Sequence, residues 1–287
     1  MRIILKIICL FAGLSCAGHA KAFSVIDTDA DSIFVEKVLK QAKSLAKGEN
    51  KTLFFARKLI GRPYVAHTLE VADPECLVVN TQQLDCTTLV ENATALTLCA
   101  SRGKCRYGDY KKMLLALRYR DGVMAGYASR LHYFSEWIED NTRRGMVEER
   151  QSSQTPFTHV QKIRLGFMSD NPEKYDMLRR HPEMIEEIRR QEQRMEGMER
   201  RYIPKTRLYD TPALRKAVAD GDIIAITTNK KGLDIAHVGI AVWKRDGLHL
   251  LNASMIYKKV VEDSRTLAEY MKGRKTFTGI RVIRIRS

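Results

Sequence analysis

Two residues of this chain have the type and local setting for nucleophilic chemistry. Cys86 stands in the run LDCTTLVENATAL, residues 84–96, where Leu89, Ala93, Leu96 and Ala100 recur at helical spacing. The cysteine therefore falls at or near the first turn of a helix. Unpaired N–H groups and the positive end of the helix dipole favour thiolate over thiol there, so a lowered thiol pKa is expected. A cysteine nucleophile also needs a general base. His237 is centred in IAHVGIAVW, a strand-like run with Ala236, Val238, Ile240 and Val242 on one face and His237, Gly239 and Ala241 on the other. Small neighbours on the histidine's face leave room for a substrate. Each residue alone has a plainer reading, since a cysteine before Thr-Thr is more often structural and a lone strand histidine is more often a satisfied polar residue.

The elements that must position this pair change character along the chain. Asp31 or Ser32 can cap a helix carrying Val35, Leu39, Ala42 and Ala46, and Thr52 to Ile60 forms a second, stopped by Gly61 and Pro63. Helices are also expected over 109–119 and 130–141. Glu183 to Arg201 reads as a charged helix with a narrow apolar stripe of Met184, Ile188, Met195 and Met198, a solvated surface element or insertion around residues 170–201. From Asp220 onward short β-rich runs alternate with turn residues such as Lys231-Gly232 and Asp246-Gly247, the pattern of an antiparallel meander. With no internal repeat and no linker between the halves, residues 23–287 read as one α+β domain.

Composition bounds the function. The 287 residues carry 49 Lys and Arg against 34 Asp and Glu, a formal charge of +15, and are 44% hydrophobic, which excludes a disordered chain. No apolar run approaches the roughly 20 residues that span a bilayer. Arg2 and Lys6, the apolar run Ile7 to Leu14 and Ala20-Lys21-Ala22 read together as a secretory signal cleaved after Ala22, so an exported, periplasmic protein is expected. A rival reading makes Cys16 the lipidated residue of a Gly13-Leu14-Ser15-Cys16 box. Export demotes nucleic acid as a partner. The remaining Cys76, Cys86, Cys99 and Cys105 are too few for a disulfide scaffold and lack zinc-like spacing. Cys99 and Cys105 either close a small loop or leave Cys99 as a buried helix residue, and Cys76 reads as a small apolar residue.

The segments GRPYVAHTLE (61–70), LDCTTLVENATAL (84–96), RLHYFSEWIEDNTRRGMV (130–147), GDIIAITTNKKGLDIAHVGIAV (221–242) and LLNAS (250–254) resemble the N-acetylmuramoyl-L-alanine amidase-like family, within the NlpC/p60 group of papain-like cell-wall hydrolases. The resemblance runs from about residue 31 to the C-terminus. It implies a papain-like fold with N-terminal helices packed on a C-terminal antiparallel sheet. It also implies Cys86 as nucleophile, His237 as base, Asn252 as the group that orients the imidazole, and two substrate-binding residues: Asp85 of the Asp-Cys pair, and Tyr64, which lies beside the nucleophile and helps bind substrate or the oxyanion. The implied substrates are muropeptides, cut at the amide joining the lactyl group of N-acetylmuramic acid to L-Ala, with anhydro-sugar fragments suggested. Neither a metal nor another cofactor is needed for that chemistry.

Hairpin geometry strains the Asn252 assignment. If Asp246-Gly247 is a two-residue turn, Asn252 lies opposite Ala241, on the face of His237 but four residues along, or roughly 13 Å at about 3.3 Å per residue. A displaced turn, or Ser254 or His249 in its place, would remove the difficulty. His132, Tyr133 and Trp137 read as an aromatic helix face, core by default, which the resemblance makes candidates for the sugar pocket. His67 lies near Tyr64, whereas His159, His181 and His249 read as surface or turn residues. Two other functions remain open: a cysteine endopeptidase cutting within the stem peptide, and a non-catalytic wall-binding module. Residues 102–120 and 258–286 each carry a net +6, equal to the +12 left after residues 1–22, and read as a surface field for carboxylate-bearing wall fragments.

Overall fold

Alternation along the late strands sorts their side chains between two apolar cores. In the computed structural model, which describes residues 23–286, the helices are α1 (Asp29–Ala42), α2 (Lys51–Lys58), α3 (Cys86–Ser101), α4 (Tyr107–Arg118), α5 (Phe134–Arg143), α6 (Phe167–Asp170), α7 (Asp176–Arg180), α8 (Ile185–Arg194), α9 (Pro212–Ala217) and α10 (Leu267–Met271). The strands are β1 (Val25–Ile26), β2 (Leu77–Val78), β3 (Val147–Glu149), β4 (His159–Lys162), β5 (Glu199–Pro204), β6 (Ile223–Thr228), β7 (Ile235–Lys244), β8 (Gly247–Ser254), β9 (Lys259–Thr266) and β10 (Phe277–Ile285). The proposed signal segment and the Cys16 box lie outside the described residues.

An eight-stranded sheet runs β4-β5-β10-β6-β7-β8-β9, with β3 also pairing with β10. Strands β6 to β9 form the expected meander, but β10 returns to pair with β6 on the far side. Ile223, Ala225, Val238, Ile240 and Ile283 face a core shared with α1 to α5, while Ile224, Ile226, Ala241, Leu250 and Val282 face a second core with α9 and α10. A mixed α+β chain with an antiparallel sheet is therefore what the structure has. A third, smaller cluster, built on Tyr127, Tyr133, Met168, Met177, Leu178 and Ile188, packs the segment around α6 to α8 against the chain entering α5.

Several expected boundaries move for identifiable reasons. Helix α1 is capped by Thr28, whose hydroxyl accepts from Asp31 N–H while the Asp31 carboxylate accepts from Thr28 N–H. The other oxygen of that carboxylate holds the Thr81 backbone N–H at 2.7 Å. Helix α2 begins one residue after Asn50, whose side chain accepts from Leu53 N–H. The long charged helix expected over Glu183–Arg201 is only ten residues, Ile185–Arg194, and Glu199–Pro204 instead enters the sheet against β4 and β10. Strands β4 and β5 are polar and show no clean alternation, so tertiary pairing rather than hydrophobic period defines them. All four described cysteines are free, with Cys99 buried within α3, so the loop disulfide is not formed.

The charge assignment also changes. Arg118 and Arg281, inside the two basic segments, are buried at 2% and 1% exposure and pair with Glu91 and Glu149. Arg284 pairs with Asp222. Part of the basic excess is therefore neutralised internally and adds little to a surface field.

Candidate active site

Cys86 is the first residue of α3. Asp85 is its N-cap: the carboxylate accepts from Thr88 N–H at 2.8 Å, and the Thr88 hydroxyl accepts from Asp85 N–H at 2.9 Å. This reciprocal cap fixes the first turn and holds Cys86 at the wall of a cavity of about 420 Å³, which Tyr64, Asp85 and His237 also line. Thr87 and the Val238 backbone N–H lie near enough to the sulfur to favour its charged form. Val238 directly follows His237, so strand and helix meet at the thiol. Cys86 and His237 themselves are not hydrogen-bonded among the described contacts.

The hairpin settles the Asn252 geometry. Strands β7 and β8 pair Lys244 with Gly247 and Ile240 with Leu251, so the turn is Arg245-Asp246, one residue earlier than expected. Continuing that register puts Asn252 across from Gly239, two residues from His237 rather than four. Diagonal neighbours of this kind lie within side-chain reach, and His237 Nε2 and Asn252 Oδ1 are 3.0 Å apart. Gly239 is needed for this approach, since a Cβ there would sit 2.7 Å from the Leu251 carbonyl oxygen. Asn252 is fully buried, and its amide N–H donates to the Leu250 carbonyl. With the amide so oriented, Oδ1 accepts from Nε2–H, which leaves Nδ1 as the free base. The expected alternation of β7 is interrupted next to the histidine: Ile226 pairs with His237 but Thr227 with Ile235, so Ala236 is the extra residue of a bulge.

Electrostatics correct one expectation. Burial pushes the Cys86 thiol up to about 12, with the Asp85 carboxylate adding to the rise, and the nearby Val238 and Thr87 groups only partly oppose it. The favourable helix terminus does not prevail because the sulfur is enclosed, although the residue as a whole is only half-buried. Burial also holds His237 below its ordinary value, against the opposing bond to Asn252. Both shifts favour the neutral thiol and the neutral imidazole over an ion pair.

The other expected site residues separate. Tyr64 lines the cavity, tied by its N–H to the Lys258 carbonyl at 2.9 Å. Burial, with Cys86 and Asp85 nearby, raises its phenol to about 12. His67 is also on the wall. His132 precedes α5 and lines the cavity, its Nε2 2.9 Å from the Tyr127 carbonyl oxygen. Burial and the nearby Arg130 drop its pKa to about 3, so the ring is neutral. Tyr133 is the residue before α5 rather than part of it. Its hydroxyl donates to Glu192 at 2.6 Å and accepts from Met168 N–H, which anchors the α6 to α8 segment to the cavity wall. Trp137 does not line the cavity: it is fully buried in the first core and stacks on Phe134. Its assignment to the sugar pocket is overturned, because Phe134 lies between it and the cavity: Phe134 lines the wall and Trp137 stacks behind it in the core. His249, expected at the surface, is buried, with its two ring nitrogens at the Asp263 carbonyl and the Asp246 carboxylate.

Sequence reasoning missed the ionic floor of the cavity. Arg118 pairs with Glu91 at 2.8 Å, and Arg130 with Glu70 at 2.6 Å and Glu75 at 3.5 Å; Glu70, Glu91, Arg118 and Arg130 all line the cavity. Glu91 gave a signal, being an acid inside an otherwise apolar helical run. The arginines gave none, because their partners lie far away in sequence. Among the described residues, no cluster of three or more His, Cys, Asp and Glu side chains is arranged to hold a metal ion.

An α+β protein with a capped helix-borne cysteine and an asparagine-held strand histidine on one cavity has the parts of an acyl-transfer hydrolase. Comparison supplies the family: residues 54–280 match the AmiA-like family of N-acetylmuramoyl-L-alanine amidase-like proteins, and the chain belongs to it. A crystal structure of an N-acetylmuramoyl-L-alanine amidase from Bacteroides uniformis is 39% identical, covers 83% of this chain and 98% of its own, and superposes with a TM-score of 0.77. A Bacteroides fragilis structure described as a candidate xylanase is 42% identical over 82% of this chain and 99% of its own, with a TM-score of 0.74. A Legionella pneumophila protein, 21% identical over 90% of this chain and 95% of its own, shares the fold with a TM-score of 0.66. No curated protein matches the chain. Family and neighbours together make this an amidase-like enzyme of peptidoglycan.

Proposed function

We propose that the chain is a cysteine-dependent N-acetylmuramoyl-L-alanine amidase with a papain-like NlpC-type arrangement. Its substrates would be muropeptides, including anhydro-sugar fragments, encountered outside the cytoplasm after export. The observation that carries this reading is the His237–Asn252 hydrogen bond beside a cavity that also holds Cys86 at a helix N-terminus. Asn252 Oδ1 accepts the Nε2–H hydrogen bond, which keeps the proton on Nε2 and leaves Nδ1 to face the reacting group. Because burial favours the neutral form of both partners, His237 removes the thiol proton as Cys86 attacks, and the Val238 and Thr87 N–H groups near the sulfur stabilise the charge as it forms. The new C–S bond pushes the amide oxygen to an oxyanion, for which the free N–H groups of the first turn of α3 and the Tyr64 hydroxyl are the available donors. Collapse breaks the C–N bond, and the imidazolium gives its proton to the leaving amine of L-Ala. Water, deprotonated by His237, then hydrolyses the thioester.

The test is mass spectrometry of muropeptides incubated with the protein and with Cys86→Ala. An intact stem peptide beginning with L-Ala, produced only by the unaltered protein, is expected. A shortened stem would indicate an endopeptidase, and no Cys86-dependent product would refute the catalytic assignment.

A further inference from the structure

The hairpin joining β8 to β9 ends in apolar side chains that none of the described residues covers. Ser254 pairs with Lys259, so the turn is the four residues 255–258. The Tyr257 N–H donates to Ser254 Oγ at 3.2 Å, and Lys258 takes a left-handed φ of 56°. Tight turns favour Gly, Asn, Asp and Ser, whose small or polar side chains suit the geometry and the solvent. Here Met255, Ile256 and Tyr257 are 61%, 56% and 42% exposed, and Ile60 is 45% exposed. Ile60 belongs to the same patch, because the following Gly61 N–H donates to the Val260 carbonyl at 2.9 Å. Two exposed lysines, Lys258 and Lys259, follow Tyr257 directly in the chain. No described carboxylate pairs with them, and the neighbouring Glu262 is taken by Arg57 and Lys244.

We propose that this hairpin tip seats the protein on an anionic lipid bilayer surface. Aliphatic side chains would enter the acyl boundary, the Tyr257 phenol would sit at the interface, and the lysine stems would lie along the apolar surface with their ammoniums on acidic headgroups. A protein groove could take the apolar residues, but a tip of three or four side chains is far below the roughly 800 Å² per partner of a stable interface. A nucleic acid would use the lysines and leave the aliphatic groups exposed. Seating has a consequence for the cavity. Tyr64, on its wall, is bonded through its N–H to the carbonyl of Lys258, so a seated tip holds the Tyr64 side of the cavity close to the lipid.

The experiment uses the full chain with one tryptophan added to the native Trp137 and Trp243, either Ile256→Trp at the tip or Val160→Trp on β4 at the opposite sheet edge, each read against the parent's emission. Vesicles of phosphatidylethanolamine with brominated phosphatidylglycerol should quench the added emission at position 256 and not at 160. Replacing Lys258 and Lys259 by Gln should weaken vesicle binding about fivefold per lysine, and added salt should weaken it further. Equal quenching at both positions would mean that residues 1–22 or diffuse charge bind the vesicles, and would overturn the proposal. So would absence of quenching at 256, binding indifferent to the lysine changes, or a tip emission that shifts with protein concentration alone, the signature of a second copy.

Discussion

Replacing Asn252 tests the side-chain hydrogen bond by which β8 holds His237 of β7. The side chain is fully buried, and its Oδ1 lies 3.0 Å from His237 Nε2. In Asn252→Ala the Nε2–H group loses its acceptor in a place from which burial has already removed much of its water. An unpaired buried donor costs about 1–3 kcal/mol. If that cost falls on the reacting geometry, kcat/KM drops about 5- to 150-fold, since each 1.36 kcal/mol is about tenfold. Asn252→Asp is the complement. A carboxylate at this position stabilises imidazolium, so the His237 pKa rises from its depressed value and the neutral base becomes available only at higher pH. The acid limb of kcat/KM should therefore move upward in Asn252→Asp. The assay is release of stem peptide from a purified muropeptide across a pH series, with a thermal melt to establish that each variant is folded. Asn252→Ala within twofold of the parent, or an Asn252→Asp acid limb that stays in place or moves down, would refute the assignment of Asn252 as the positioning residue.

Other expectations follow from the same geometry. In the parent protein the acid limb should lie below the ordinary histidine value of about 6.5, because burial lowers His237; a limb above it would contradict a neutral, desolvated base. Alkylation of Cys86 by iodoacetamide should keep accelerating above pH 8.5, because its thiol stands at about 12. A plateau already reached near pH 6, followed by mass spectrometry of the labelled peptide, would reveal a thiolate–imidazolium pair instead. Trp137→Ala should cost about 3–5 kcal/mol of stability through loss of packing, seen as an earlier denaturant midpoint, whereas an altered KM in a protein of unchanged stability would return the residue to the substrate pocket. Arg118→Ala leaves Glu91 uncompensated in the interior and should destabilise by about 3–5 kcal/mol. Arg118→Ala together with Glu91→Leu should recover much of that loss, and failure of the pair to do so would sink the buried-pair account.

The apolar stripe around Cys86 and the β-rich runs after residue 220 were legible in the sequence because each rests on a local period, near 3.6 for α3 and 2 for β6 to β10. Those periods also placed His237 and Asn252 on one face and Cys86 at or near the first turn of its helix. What sequence could not give was register. A one-residue displacement of the β7–β8 turn, from Asp246-Gly247 to Arg245-Asp246, separates a distance of roughly 13 Å from an observed hydrogen bond of 3.0 Å. The bulge at Ala236 and the recruitment of Glu199–Pro204 into the sheet have the same origin, since each depends on partners distant in the chain. The thiol makes the contrast sharpest. The sequence by itself determined that a cysteine sits at a helix start, which argues for a lowered pKa. Only the tertiary structure decided that the sulfur is enclosed beside the Asp85 carboxylate, where desolvation outweighs the helix terminus and leaves the proton in place until a base removes it.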